Sequence, residues 1–137
     1  MQLWAIWVVA LVVAATSTAQ DSKFPDLSGF TESPTEHLIV TVDRPFSVRS
    51  VRGSTTFQST GEPLPSVLFE IMGPGEARTV RRAVSGDNGK FKIAHVPEGS
   101  YRFKTTLNGF SSVVGVLVVS KHAPPDSRIH IEVPIGN

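Results

Sequence analysis

Ser85-Gly86-Asp87-Asn88-Gly89-Lys90-Phe91-Lys92-Ile93-Ala94-His95-Val96-Pro97-Glu98-Gly99-Ser100-Tyr101 is the stretch whose reading decides the fold. Asp87-Asn88-Gly89 separates a β-branched run ending at Val84 from an alternating run starting at Lys90. Asn-Gly is a favoured pair where a hairpin turn needs positive φ, so a type I′ or bulged hairpin turn is expected. The same residue types open a calcium loop, but that loop needs further oxygen ligands and a bidentate Glu, and Lys90, Phe91 and Lys92 supply none. In Lys90-Phe91-Lys92-Ile93 charged and apolar residues alternate, which places Phe91 and Ile93 on a buried face and both lysines on the opposite one. Val96-Pro97-Glu98-Gly99 breaks this strand, because proline cannot donate to a ladder and glycine permits a tight reversal. Tyr101-Arg102-Phe103-Lys104 then resumes the alternation with Tyr101 and Phe103 inward.

The same periodicity extends upstream. His37 to Val42 (HLIVTV) is β-rich and ends at Asp43-Arg44-Pro45. From Ser47 to Phe57 a second run puts Val51, Gly53, Thr55 and Phe57 on one face and Arg52, Ser54 and Thr56 on the other. Gly61-Glu62-Pro63-Leu64-Pro65 forces a connection, after which Val67, Phe69 and Ile71 point inward and Glu70 outward, up to Gly73-Pro74-Gly75. Arg78 to Val84 reads as a further strand whose charges suit a sheet edge. Downstream, Asn108-Gly109-Phe110 is a turn, and the run from Ser112 to Val119 is apolar on both faces and therefore central. After Pro124-Pro125-Asp126, Ile129, Ile131 and Val133 close the sheet. Seven or eight short strands with no 3.6-residue period outside the N-terminus make the chain all-β, a sandwich or a small barrel.

The chain of 137 residues has a net charge of +1 and 40% hydrophobic residues, enough for one modest core. A polyanion binder of the nucleic-acid type would carry a marked basic excess, so nucleic acid is not an expected partner. With 0 Cys there are no disulfides, thiolate metal sites or cysteine nucleophiles, and stability rests on packing. Leu3 to Ala15 is apolar, short for a membrane span, and leads into the small residues Ser17-Thr18-Ala19. Residues 1–19 are accordingly expected to be a secretory signal peptide, 20–36 a polar linker or N-terminal arm, and 37–137 the domain. The expected location is secreted or periplasmic. No Lys or Arg precedes the apolar run, so an uncleaved anchor is the alternative, and the only one that involves a membrane. Pro25, Gly29 and Pro34 break up the arm, although Phe24, Leu27 and Phe30 are able to dock it.

Val51-Arg52-Gly53, Gly61-Glu62-Pro63-Leu64-Pro65, Asp87-Asn88-Gly89-Lys90-Phe91, Val96-Pro97-Glu98-Gly99-Ser100-Tyr101 and Gly109-Phe110 together resemble the carboxypeptidase regulatory-like domain over Val48 to Val133. The resemblance implies a prealbumin-like Greek-key β-sandwich, grouped with carbohydrate-binding-like folds, that serves as a non-catalytic accessory to an enzyme, receptor or surface protein. Two relatives of that fold carry further residues. A transthyretin-like hydroxyisourate hydrolase would have a Tyr-Arg-Gly-Ser tail and a His before its Gly-x-Pro turn, whereas this chain ends Ile135-Gly136-Asn137 and has no His between Arg44 and Gly61. A pilin-like domain with an isopeptide bond would place an acid where Arg102, Phe103, Lys104 and Thr105 stand.

His37, His95, His122 and His130 show no metal-ligand spacing, no Gly-x-Ser-x-Gly elbow is present, and Glu70, Asp87, Glu98 and Glu132 mark no common site. No catalytic residue, metal or cofactor is assigned. The one candidate patch is basic. If the strands from Lys90 and Tyr101 pair as a hairpin, Lys90, Lys92, Arg102 and Lys104 share its outward face, and the resemblance implies Arg52 beside them. Like charges across strands repel and invite an acidic partner, though such a face also serves simply to stay solvated. A protein or cell-envelope surface component is the expected partner, with an acidic glycan as the alternative. Both Trp residues, Trp4 and Trp7, fall in the signal segment and Tyr101 points inward, which leaves Phe110 as the exposed aromatic for sugar stacking.

Overall fold

The computed structural model describes residues 26–34, 39–73 and 79–136. The expected signal segment, Phe24, His37 and the tip of the Gly73-Pro74-Gly75 turn lie outside them. The described residues form an all-β sandwich of nine strands in two mixed sheets. Strands β1 (Ile39–Thr41), β2 (Phe46–Val48), β4 (Leu68–Met72), β5 (Val80–Val84), β7 (Gly99–Thr106) and β8 (Ser112–Val119) make a six-stranded sheet. Strands β3 (Val51–Phe57), β6 (Lys90–Ile93) and β9 (Ile129–Val133) make a three-stranded one, in the order β6-β3-β9.

The run expected as one strand from Ser47 to Phe57 is two. Arg49 and Ser50 bend the chain out of the first sheet, where β2 lies parallel to β8, into the second, where β3 is central. As the apolar pattern of both faces requires, β8 is interior, with β7 on one side and β1 and β2 sharing the other. The charged strand β5 stands at the sheet edge.

Period-two alternation delivers one apolar face per sheet to the interior. Val51 from β3, Phe69 and Ile71 from β4, Phe91 and Ile93 from β6, Tyr101 and Phe103 from β7, Val113 and Leu117 from β8, and Ile129, Ile131 and Val133 from β9 form one buried cluster. At its centre Phe69 stacks on Phe91 at 4.3 Å and on Phe103 at 5.6 Å between ring centroids. Tyr101 is admitted because its hydroxyl donates to Pro97 O at 2.6 Å.

The Asp87-Asn88-Gly89 turn forms, but not within a hairpin: β5 and β6 belong to different sheets, so it carries the chain across the sandwich. Gly89 N–H donates to Gly86 O at 2.8 Å, Lys90 N–H donates to Asn88 Oδ1 at 3.0 Å, and within this turn only Gly89 has positive φ, 78°. This is a tight turn closed by a left-handed glycine, the bulged variant of the two expected. Gly89 O is anchored by the N–H of Thr55 at 2.8 Å, and a Cβ on Gly89 would stand 2.5 Å from Thr55 O. Gly89→Ala is therefore expected to cost about 2 kcal/mol, the strain of a left-handed non-glycine residue with a backbone clash added. Urea unfolding measures it; a loss under about 0.5 kcal/mol would refute the assignment.

Glu70 departs from expectation. It points away from the inter-sheet core, as its parity requires, yet it is fully buried, because residues 26–34 lie across the outer face of the six-stranded sheet. Glu70 Oε1 accepts the Thr31 N–H at 2.9 Å, and Oε2 accepts the Thr31 hydroxyl at 3.0 Å and Arg82 Nε–H at 2.8 Å. Phe30 is buried in the same docking.

Candidate functional site

Sheet pairing redistributes the basic residues. Strand β6 does not pair with β7; it lies antiparallel to β3 in the three-stranded sheet, while β7 runs between β4 and β8 in the other. Lys90, Lys92, Arg102 and Lys104 therefore do not share a face.

Lys104 is the cross-strand partner of Glu70, fully buried, and its ammonium donates to Thr31 O at 2.6 Å. Arg102 donates through Nη1 to Asp26 O and sits 5.9 Å over the Phe30 ring. Both belong to the seat of the arm. Phe110 is not an exposed turn residue either: it is half-buried, bridges Ile135, and packs on Phe57 with ring centroids 5.6 Å apart. Two apolar rings gain more from each other than from water, so part of the Phe110 ring is spent on Phe57.

Arg52, Lys90 and Lys92 do come together. In the β3–β6 register Arg52 faces Lys92 and Ser54 faces Lys90. On the other side of β3, the parallel strand β9 sets Ile129 opposite Gly53 and His130 opposite Ser54. Neighbouring strands lie about 4.8 Å apart, so side chains of one row on one face adjoin each other. The outer face is thus a grid. Lys92 and Arg52 form one row with Arg128, which immediately precedes the Gly53–Ile129 pair; Lys90, Ser54 and His130 form the next; Thr56 and Glu132 form a third.

Arg52, Lys90, Lys92 and Arg128, with Val84 and Gly86 at the rim, line a groove of about 400 Å³. A second, of about 440 Å³, continues from Arg52 and Lys92 to Arg49 and His95. No carboxylate lines either groove. The loop between β8 and β9 fixes both guanidinium groups: Arg52 Nη2 donates to Pro125 O at 3.1 Å, and Arg49 Nε donates to Ala123 O at 3.1 Å. The loop is itself held, since Ser127 Oγ donates to Pro124 O at 2.6 Å and accepts Arg49 N–H at 3.0 Å. Arg52 Nε is buried and has no hydrogen-bond partner among the described residues. A half-buried cation with one arm of its fork restrained loses little side-chain freedom on meeting an oxyanion.

Arg49, Ser54, Arg128 and His130 are the members that sequence reading missed. The parity of Ser54 against Val51 and Val133 against His130 marked both as outward, but only the parallel β3–β9 pairing brings residues more than 70 positions apart into one row. No family model matches this chain, and a search of curated proteins finds no match.

Proposed function

We propose that this chain is a secreted or periplasmic, non-catalytic β-sandwich module of the carboxypeptidase regulatory-like type, prealbumin-like and Greek-key in topology, that engages an acidic component of the envelope surface. The observation that carries the reading is the convergence of Arg52, Lys92, Arg128 and Lys90 on one sheet face, with no carboxylate in the grooves they line. Such an array attracts an anion by summed field and holds it by charge-assisted hydrogen bonds.

An acidic glycan suits the face better than a protein hot spot does. Protein interfaces are commonly anchored by large apolar or aromatic residues in desolvated pockets. The outward residues of the three-stranded sheet are Lys90, Lys92, Arg52, Ser54, Thr56, His130 and Glu132, with no aromatic among them. The same lack of a ring disfavours neutral sugars.

Charge reversal at two positions, Arg52→Glu with Lys92→Glu, is expected to weaken retention on immobilised acidic polysaccharide by roughly tenfold or more. Binding by the unmodified protein is expected to fall steeply as salt rises. Equal retention of the reversed and native proteins on acidic polysaccharide, or no retention of the native protein at low salt, would overturn the proposal.

A further inference from the structure

The row formed by Lys90, Ser54 and His130 differs in chemistry from the guanidinium row beside it. Ser54 Oγ lies 3.2 Å from His130 Nδ1, held there by the parallel register, and the antiparallel register sets Lys90 on the other side of Ser54. A serine hydroxyl owns one proton. When the neutral ring carries its hydrogen on Nε2, that proton is given to Nδ1, and Ser54 shows only lone pairs to an incoming anion. When Nδ1 is protonated the ring donates to Oγ, and the hydroxyl proton is released to point at the ligand. From the neutral ring with its hydrogen on Nε2, one proton taken up by His130 thereby turns Ser54 from an acceptor into a donor; from either tautomer it adds a positive charge to the row.

We propose that Lys90, Ser54 and His130 form a proton-linked subsite for one oxyanion group, a sulfate ester or a carboxylate, of the acidic ligand. This rests on the reading that the outer face of the three-stranded sheet is the binding surface. The charged surroundings of His130 are few. On its own strand Arg128 and Glu132 flank it on the same face; from β3 it meets Ser54 with Arg52 one row away, and beyond β3 stand Lys90 and Lys92. On the free side of β9 it adjoins a groove lined by Val40, Val42, Phe46 and Gln58, where Glu132 is the only other titratable group. An anion bound in the row attracts the positive charge that a proton adds to the imidazole. Proton and anion therefore stabilise each other on the site, and by linkage the affinity rises as pH falls.

The test uses the full chain, titrated with inorganic sulfate, glucuronate and a sulfated oligosaccharide at constant ionic strength. Neither sulfate nor uronate changes charge across the range in which histidine does, about pH 5 to 8. Binding is expected to be roughly three- to tenfold tighter at the lower end, the worth of one added hydrogen bond of ordinary strength. His130→Asn and Ser54→Ala are each expected to flatten the pH profile, with the larger loss of affinity at low pH. His122→Asn, outside both grooves, is expected to leave the profile as it is. The relative affinities for sulfate and glucuronate identify which oxyanion the subsite prefers. Ligand binding with a flat native profile, or with an unaltered profile in His130→Asn, overturns the proton-linked subsite alone. No binding of any of the three probes at either pH overturns both the subsite and the proposed function.

Discussion

Gly53→Ala is expected to leave little folded protein. Glycine here is required by space, not by φ. A Cβ at this position would stand 2.1 Å from Ile129 O, and 2.8 Å from both the carbonyl carbon and the Cβ of Ile129. The obstacle is backbone. Gly53 is paired with Phe91 on one side and Ile129 on the other, so β3 is held by β6, and drawing β9 away breaks the ladder it shares with β3. Both neighbours are also core residues, with Ile129 fully buried. Overpacking by one methyl group into side chains costs about 1–3 kcal/mol, and against two fixed ladders the expected loss lies at or above the top of that range. A domain stable by about 5–15 kcal/mol loses much of its margin. Thermal unfolding of the purified variant checks this: the midpoint is expected to fall by about 15 °C or more, or the protein to be insoluble. A midpoint within about 3 °C of the native protein would show that β3 and β9 do not approach this closely.

Glu70→Ala is the second large effect, and it acts on the opposite sheet. The carboxylate is fully buried and accepts three hydrogen bonds, from Thr31 N–H, Thr31 Oγ1–H and Arg82 Nε–H. Removing it leaves the Thr31 amide without its acceptor and takes the anion from beside Lys104, its cross-strand neighbour. Loss of one member of a buried charged cluster costs about 3–5 kcal/mol. Arg82 is half exposed and regains water, which places the expected loss near the lower end of that range. Glu70→Gln has a single acceptor oxygen, so it serves either the Thr31 N–H or the Arg82 Nε–H and turns its NH2 toward the other; it is expected to lose less than Glu70→Ala because no cavity is left. Chemical unfolding gives the magnitudes, and limited proteolysis gives the site, since cleavage between residues 26 and 34 should quicken in Glu70→Ala. Unchanged proteolysis there would show that Glu70 does not hold the arm. Because Glu70 lies on the six-stranded sheet, any folded Glu70→Gln protein is expected to bind acidic ligands as the native chain does.

The contrast between Lys92 and Lys104 shows how far residue pattern reaches. Both alternate with aromatic or aliphatic neighbours, and both point away from the inter-sheet core. Lys92 is exposed and Lys104 fully buried, because among the described residues the arm covers the six-stranded sheet and not the three-stranded one. That layer was legible only as an apolar Leu27 and Phe30 in a polar stretch. Arg52 was placed beside Lys92 by resemblance to a family's strand order, and their register agrees. The rest of the row was hidden, since Arg128 and His130 arrive on a parallel strand after a long connection and no local pattern names its partner.

Alternation and turn chemistry by themselves determined that this chain is all-β, which side chains face inward in β3, β4, β6, β7 and β9, and most of the places where it turns. They do so because the two-residue side-chain period and the φ demands of Gly and Pro are local properties. Only the tertiary structure decided that the strand after Asp87-Asn88-Gly89 joins β3 and not β7, that the turn crosses between sheets, and that its lysines belong with Arg52 and Arg128. A strand's free backbone edge pairs equally well with many partners. The choice among them comes from packing Phe91 against Phe69 across the sandwich, an interaction between residues distant in the chain.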